Sequence, residues 1–185
     1  MDRRTCLLDI TTDIAVPVVA ALSFSTGGDG FCLGTAARSS LASAAGAALT
    51  EMAQTELAVE VVEARWRGGG DSALSPTDLR QLRRFESIHA GQCALVHPGA
   101  PACGTPDLPA SSTTEALRSV LDRLAEHGLQ VFAVDLTRSR YGIPVRRMFC
   151  PGLECEPSHF AGPRLNAMIR HTGGGDCHTK GIGLM

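Results

Sequence analysis

The stretch RSSLASAAGAALTEMAQTELAVEVVEAR, residues 38–65, decides the fold of this 185-residue chain. It holds no proline and a single glycine, Gly46, in a run dominated by Ala, Leu, Glu and Met. These residues favour helix, and the three glycines at 68–70 are a typical stop signal, so we predict one long helix. Small side chains along its first half would let another backbone approach closely, at Ala42, Ala45 and Ala48 beside Leu49.

Strand patterns flank this helix on both sides. Residues 5–10 and 16–24 precede it, residues 129–136 and 143–150 follow it, and all four are rich in apolar strand formers. The two pairs share a pattern, in which LDIT at 8–11 with VPV at 16–18 is echoed by VDLT at 134–137 with IPV at 143–145. We predict an α+β (mixed α/β) fold with two related strand pairs, the long helix and shorter helices.

Two of the shorter helices carry start signals. Ser75-Pro76-Thr77-Asp78 supplies a cap, a first-position proline and an acidic first turn. Ser112 and Glu115 have the spacing of a capping box, and Gly128 ends the helix that follows them. A further short helix is predicted near residues 165–170.

The remaining segments predict one domain over residues 1–171 with a flexible tail at 172–185. Residues 91–112 contain four prolines and read as a long loop within that domain, and a loop of this length is usually functional or disordered. His89 and His97 flank or lie in this loop and are the two histidines of interest.

Charge and hydropathy exclude several classes of protein. Seventeen basic and nineteen acidic residues give a net charge of −2, which argues against a broad surface for nucleic acid. No apolar run reaches the ~20 residues that a membrane helix needs. Asp9 and Asp13 interrupt the apolar N-terminal stretch, which argues against a secretory signal. We expect a cytoplasmic protein that contacts neither nucleic acid nor membrane.

The seven cysteines do not form a disulfide framework, because their number is odd and their spacing is scattered. One cluster has metal-ligating residue types, namely Cys150, Cys155 and His159, with Cys177-His178 further on. Thiolates and imidazole at such spacing could hold zinc. The missing CxxC spacing favours the alternative, in which Cys150 ends a strand.

Glu51 and Gln54 are the best local candidates for chemistry. They lie three residues apart on the predicted long helix, so their side chains share a face. A carboxylate there can bind a hard divalent cation, and the amide can contact a phosphate or nucleoside group. The alternative is an ordinary polar helix face in water. Phosphate loops of the GxxxxGK[ST] or GxGxxG type and a GxSxG nucleophile elbow are absent.

Arg146 and Arg147 form the second candidate. Strand alternation puts the two side chains on opposite faces, so one of them points to the packed side unless the strand is at an edge. Such an arginine needs a carboxylate or a phosphate. The alternative is an internal ion pair.

Taken in order, these segments resemble the YcaO domain family. The resemblance is carried by LDIT with VPV, residues 38–54 with Glu51-x-x-Gln54, VDLT with GIPV, Arg147 with PGLE at 151–154, and GPRL at 162–165. It implies an ATP- and Mg²⁺-dependent enzyme that phosphorylates a backbone amide oxygen of a ribosomal precursor peptide. Attack by a Cys, Ser or Thr side chain then gives an azoline, and attack by sulfide gives a thioamide. By similarity, Glu51 holds magnesium, Gln54 contacts the nucleotide and Arg147 meets phosphate.

The resemblance covers the C-terminal half of the family domain. The earlier half, with further acidic magnesium ligands, has no counterpart here. The acidic residue that commonly precedes the family's Ala-rich stretch is replaced by Ser40-Leu41-Ala42, and a proline-rich end by GIGLM. We therefore expect a partial YcaO-like domain, truncated or split, that needs its N-terminal half or a partner protein. An exposed strand edge would also allow a homodimer.

Three hypotheses follow. The first is an ATP-dependent peptide-modifying YcaO component, and we favour it. The second is a non-catalytic YcaO-like module that binds a precursor peptide or a partner enzyme. The third is a metal-binding or structural domain that uses Cys150, Cys155 and His159.

Overall fold

The fold is seen in a computed structural model that describes residues 2–92, 106–153 and 162–172. The chain forms two compact units, Met1–Ala116 and Leu117–Met185. The strands of the described part are β1 (Arg3–Asp9), β2 (Val18–Ser25), β3 (Cys32–Ala37), β4 (Phe132–Asp135) and β5 (Arg146–Phe149). Its α-helices are α1 (Leu41–Gly69), α2 (Pro76–Ser87), α3 (Thr113–Glu126) and α4 (Pro163–Thr172). The predicted mixed class with two strand pairs and one long helix is confirmed. No helix of the described residues is long and apolar enough to cross a membrane.

The first unit is built on an antiparallel sheet of order β1-β2-β3. The register runs from Arg3 opposite Ser25 to Asp9 opposite Val19, and β3 pairs along the other edge of β2. β1 and β2 confirm the predicted strands at 5–10 and 16–24. Strand β3 is not among the predicted strands, and it forms one edge of the sheet.

Helix α1 packs closely on this sheet through small residues. Ala44, Ala48 and Met52 are buried against the sheet. A Cβ on Gly34 of β3 would overlap the backbone atoms Ala48 O and Met52 N. The predicted close approach of another backbone is therefore present, and that backbone is β3. The predicted stripe is shifted at its start, because Ala42 is exposed and Ala44 is buried.

Both ends of α1 are fixed by specific contacts. Ser40 caps the helix by accepting a hydrogen bond from Ser43 N, and Asp107 Oδ1 accepts one from Leu41 N at 2.8 Å. A carboxylate thus reaches the start of α1 from a distant part of the chain, although none precedes the Ala-rich stretch in sequence. At the other end, Gly70 adopts a φ of +62°, which confirms the predicted glycine stop.

The start signals of the shorter helices are largely confirmed. Ser75 and Asp78 form a reciprocal capping box on α2. On α3, Ser112 Oγ accepts a hydrogen bond from Glu115 N, which is the first half of the predicted capping box. The second half involves Ser111 in place of Ser112, because the Glu115 carboxylate accepts from the amide and hydroxyl of Ser111. Gly128 follows α3 with a φ of +70°. Helix α4 confirms the short helix predicted near 165–170.

The second unit contains the hairpin of β4 and β5, with Phe132 opposite Phe149 and Asp135 opposite Arg146. These strands are shorter than the predicted ranges 129–136 and 143–150. Ile143 instead forms an isolated bridge with Arg138.

The two hairpins repeat one hydrogen-bonded turn. In the first, Asp9 Oδ1 accepts from Thr11 N, and Thr11 Oγ1 accepts from Val18 N at 3.0 Å. In the second, Asp135 Oδ1 accepts from Thr137 N at 2.8 Å, and Thr137 Oγ1 accepts from Val145 N at 3.0 Å. The backbone bonds from Ile10 N to Val18 O and from Leu136 N to Val145 O match as well. The predicted relation between the strand pairs therefore extends to individual atoms.

The predicted loop at 91–112 is described only at residues 91–92 and 106–112, and residues 173–185 of the predicted tail lie outside the described part. The predicted domain over 1–171 stays a prediction.

Candidate functional site

Glu51 lies on α1 at the point where the helix passes the edge of β3. Its side chain is exposed, and its Oε2 accepts a hydrogen bond from Thr35 N at 3.0 Å. Thr35 N–H is a backbone donor of the edge strand, so the sheet itself holds one carboxylate oxygen. No described residue bonds Oε1, which leaves a hard oxygen donor facing solvent. The polar-face alternative and the ligand role of Glu51 both stay predictions.

Gln54 lies three residues further along α1 and is also exposed. Its amide forms no hydrogen bond with any residue in the described ranges, so it can meet a ligand beside Glu51. The structure brings Glu51 and Gln54 together on one helix, as predicted.

Sequence reasoning missed the residues that position Glu51. Gly34 gives the close approach of β3 to α1, and Thr35 supplies the backbone donor. Thr55 Oγ1 lies 3.2 Å from Leu33 O on the same strand edge. The only sequence signal for these contacts was the stripe of small residues on α1, and it did not indicate which backbone approaches.

A second carboxylate on α1, that of Glu56, is paired with an arginine and a serine of the sheet. Arg3 Nε lies 2.6 Å from Glu56 Oε1 and 2.8 Å from Ser23 Oγ, and the Ser23 hydroxyl also donates to that carboxylate. Ser23 is fully buried. This cluster ties β1 and β2 to α1, so Glu56 has a structural role, whereas Glu51 forms no ion pair with the residues that the structure describes.

Cys32 lies beside that cluster and is not a reactive thiol. Burial raises the pKa of Cys32 to about 11, with Arg3 acting in the opposite direction and Glu56 adding to the rise. The thiol is therefore protonated at neutral pH, and the nucleophilic thiolate is disfavoured.

The two arginines of β5 point to opposite faces, as predicted. Arg146 forms an ion pair with Asp135 and donates to Thr137 Oγ1 at 2.8 Å, but both side chains of the pair are exposed, so the pair is on the surface and not internal as the alternative supposed. Arg147 is exposed, lies 5.2 Å from the Phe149 ring centre, and makes no ion pair with the residues that the structure describes. Arg147 is therefore the guanidinium available to an anion. It belongs to the second unit, whereas Glu51 and Gln54 belong to the first.

The shifted carboxyl groups are structural. The Ser75 amide and hydroxyl hold the pKa of Asp78 below its ordinary value, and the Ser111 hydroxyl and amide do the same for the pKa of Glu115. Both are helix-cap groups. Their shifts mark helix starts and not a catalytic centre.

The zinc hypothesis rests mostly on residues outside the described part. Cys150 is a free, half-buried thiol, and Cys155, His159 and Cys177-His178 fall outside the described ranges. Within those ranges, no group of three His, Cys, Asp or Glu side chains could hold a metal ion.

His89 has a structural role. Gly91 N donates to His89 Nδ1 at 3.1 Å, so Nε2 carries the proton that is directed at Gly27 O, 3.0 Å away. The ring also packs against Gly28, whose φ is +95°. His89 therefore stabilises the turn between β2 and β3. His97 lies outside the described residues.

The fold is that of known heterocyclases. A solved structure described as a heterocyclase in complex with substrate and cofactor is 21% identical, with a TM-score of 0.75 over all of this chain and 24% of its own. The heterocyclase TruD is 22% identical, with a TM-score of 0.66 over 99% of this chain and 25% of its own. The chain thus spans about a quarter of the length of these proteins. No curated protein matches significantly.

A family model described as YcaO cyclodehydratase, ATP- and Mg²⁺-binding, matches residues 2–154. The chain belongs to the YcaO family, as the sequence resemblance predicted, and ATP and Mg²⁺ are the cofactors of that family.

Proposed function

We propose that this chain takes part in ATP-dependent activation of a backbone amide in a ribosomal precursor peptide. In this reaction the amide oxygen takes the γ-phosphoryl group of ATP, and ADP is released. A Cys, Ser or Thr side chain of the peptide then attacks the amide carbon, loses its proton and expels the oxygen as phosphate, which gives an azoline. Attack by sulfide in the same way gives a thioamide. Membership of a family described as cyclodehydratases supports the reaction class.

The observation that carries the proposal is the Glu51 carboxylate. Phosphoryl transfer depends on positioning and on neutralising charge, which a carboxylate-bound Mg²⁺ and an arginine supply. Glu51 has one oxygen held by Thr35 N–H and one directed to solvent, which suits a cation ligand of fixed orientation. Gln54 would contact the nucleotide and Arg147 would meet phosphate. Bound Mg²⁺ would offset the negative charge of the triphosphate.

We further propose that the chain works in the cytoplasm as a truncated or split component. The partner is the N-terminal YcaO half or another protein, since the known heterocyclases are about four times longer than the part that matches this chain. A second copy of the chain is the other way to complete the site.

Calorimetric titration of the chain with ATP, with and without Mg²⁺, tests the proposal. We expect Mg²⁺-dependent binding that Glu51→Gln weakens about tenfold, since a charged ligand is replaced by a neutral one of the same shape. Glu60→Gln is the matched control, because Glu60 is exposed on the same helix. Equal losses of ATP affinity in both variants would show that Glu51 is not a ligand of the site.

The second candidate is a non-catalytic YcaO-like module that binds a precursor peptide or a partner enzyme. The chain matches about a quarter of the length of the known heterocyclases, and a part of that size without its own nucleotide site would act as a binding module. A folded chain that binds precursor peptide but no ATP, with its partner present, would establish this alternative.

A further inference from the structure

Two side chains of α1 occupy adjacent outward positions on the edge of β3. Glu51 Oε2 accepts from Thr35 N at 3.0 Å, and the Thr55 hydroxyl lies 3.2 Å from Leu33 O. Leu33 and Thr35 are two residues apart, so their outward backbone groups succeed each other along one edge. The Thr55 hydrogen bond therefore fixes β3 at Leu33, two residues before the Thr35 N–H that binds Glu51.

The Thr55 hydroxyl also reaches the backbone of Glu51. Its oxygen lies 3.1 Å from Glu51 O, as well as 3.2 Å from Leu33 O. A hydroxyl has one proton, so the two carbonyl groups share it. This single group links the strand edge to the backbone of the residue whose carboxylate the strand holds.

We propose that Thr55 is a positioning residue for the Glu51 carboxylate, a role that rests on the proposed function. An exposed glutamate samples several rotamers, and most of them carry the carboxylate away from a fixed donor. If β3 moves from α1 at Leu33, the Thr35 N–H moves with it and Oε2 loses its partner. The cation ligand then loses its fixed orientation, as happens when a hydrogen bond behind a metal ligand is removed.

Thr50 is a threonine of the same helix whose hydroxyl has no contact with β3 of the kind that Thr55 makes. Its hydroxyl donates to Gly46 O at 2.9 Å, the ordinary bond to the carbonyl four residues earlier. It makes no hydrogen bond to β3 within the described residues. Thr50→Val therefore removes the same helix contact and keeps the strand edge intact, which makes it the matched control for Thr55→Val.

The first readout is the backbone amide of Thr35, followed by hydrogen exchange in the full chain. Thr55→Val should speed exchange of this amide roughly tenfold, because the strand edge opens more often. Thr55→Ser restores the hydroxyl and should return the wild-type rate, and Thr50→Val should leave it unchanged. Unchanged exchange in Thr55→Val overturns the positioning role, whatever Glu51 binds.

The second readout is the affinity for Mn²⁺ in the presence of ATP, measured by electron paramagnetic resonance with Mn²⁺ in place of Mg²⁺. We expect Thr55→Val to weaken it by about tenfold, at the low end for a residue behind a metal ligand, and Thr55→Ser to recover it. Normal Mn²⁺ affinity in Thr55→Val, together with a loss in Glu51→Gln, would overturn the proposal alone. Normal Mn²⁺ affinity in Glu51→Gln would instead overturn the proposed role of Glu51 as a cation ligand. Hydrogen exchange of the Thr35 amide would then still test whether Thr55 fixes the strand edge.

Discussion

Glu51 and Glu56 lie five residues apart on α1, and their partners give them different chemistry. Glu56 accepts from Arg3 and Ser23, so its charge is matched inside the fold. Glu51 accepts one backbone N–H and keeps an oxygen toward solvent. Helical spacing alone selects Glu51 with Gln54, but it does not distinguish an occupied carboxylate from an available one. That distinction requires the positions of Arg3 and Thr35, which are distant in sequence.

Arg147 gives a prediction at the same scale. Arg147→Ala should weaken Mg²⁺–ATP binding by the complete assembly about tenfold and leave thermal stability nearly unchanged, because its side chain is exposed. Binding is measured by calorimetry and stability by thermal unfolding.

The matched control is Arg140→Ala. Arg140 is exposed in the same unit and also lies over an aromatic ring, 5.0 Å from the centre of Tyr141. If both variants bind nucleotide equally well, Arg147 does not meet phosphate.

Among the elements, β3 shows where reasoning from sequence stops. The patterns at 5–10 and 16–24 are dense in Val, Ile and Leu, and both form strands. The segment CLGTAA has a glycine and two alanines, which have weak strand propensity, so its own side chains do not predict a strand. It becomes one because β2 offers a free edge and α1 packs over Gly34. These are tertiary causes, and the positions of Thr35 and Glu51 depend on them.

Gly34→Ala should therefore damage both the fold and the site. The added methyl group would meet backbone atoms of α1, which cannot rotate away, so we expect a loss of about 3 kcal/mol or more in unfolding free energy. Denaturant unfolding measures this loss. Gly46→Ala is the control, since a Cβ at Gly46 meets nothing within 4 Å and alanine favours helix. A Gly34→Ala chain as stable as wild type would contradict the close packing.

The repeated turn gives a prediction on pH. The Thr137 hydroxyl and amide, followed by Arg146, hold the pKa of Asp135 below its ordinary value. A lowered carboxyl pKa stabilises the fold at a pH above the unfolded-state pKa of about 3.9, and this contribution is lost as the pH falls through the lowered value. The Thr137 amide resonance should therefore titrate with a midpoint below about 3.9. In Asp135→Asn this titration should vanish, and a midpoint at or above 3.9 in the wild type would contradict the turn geometry.

At the scale of the whole molecule, the chain has the fold of a heterocyclase over about a quarter of that protein's length. The family and the class of fold could be predicted from sequence, because the ordered motifs LDIT, Glu51-x-x-Gln54 and VDLT survive as local patterns. The surroundings of the second hairpin could not be predicted from the sequence. Alternation predicts which residues share a face and does not indicate what covers that face.

One face of the second hairpin bears exposed apolar side chains on both sides of Arg147. Paired residues of β4 and β5 share a face, so Phe132, Val134 and Phe149 lie together with Arg147. Leu136 and Val145 extend the face beyond the strands, and the five apolar side chains are between 43% and 52% exposed. Exposed apolar side chains grouped in this way are candidates for an interface.

We therefore expect the chain to self-associate through this face when its proposed partner is absent. Sedimentation velocity should show mass that rises with concentration, and the double variant Phe132→Ser with Phe149→Ser should remain monomeric. Met148→Ser is the matched control, because Met148 is 51% exposed on the opposite face of the same hairpin. A wild-type chain that stays monomeric at every concentration would contradict this expectation.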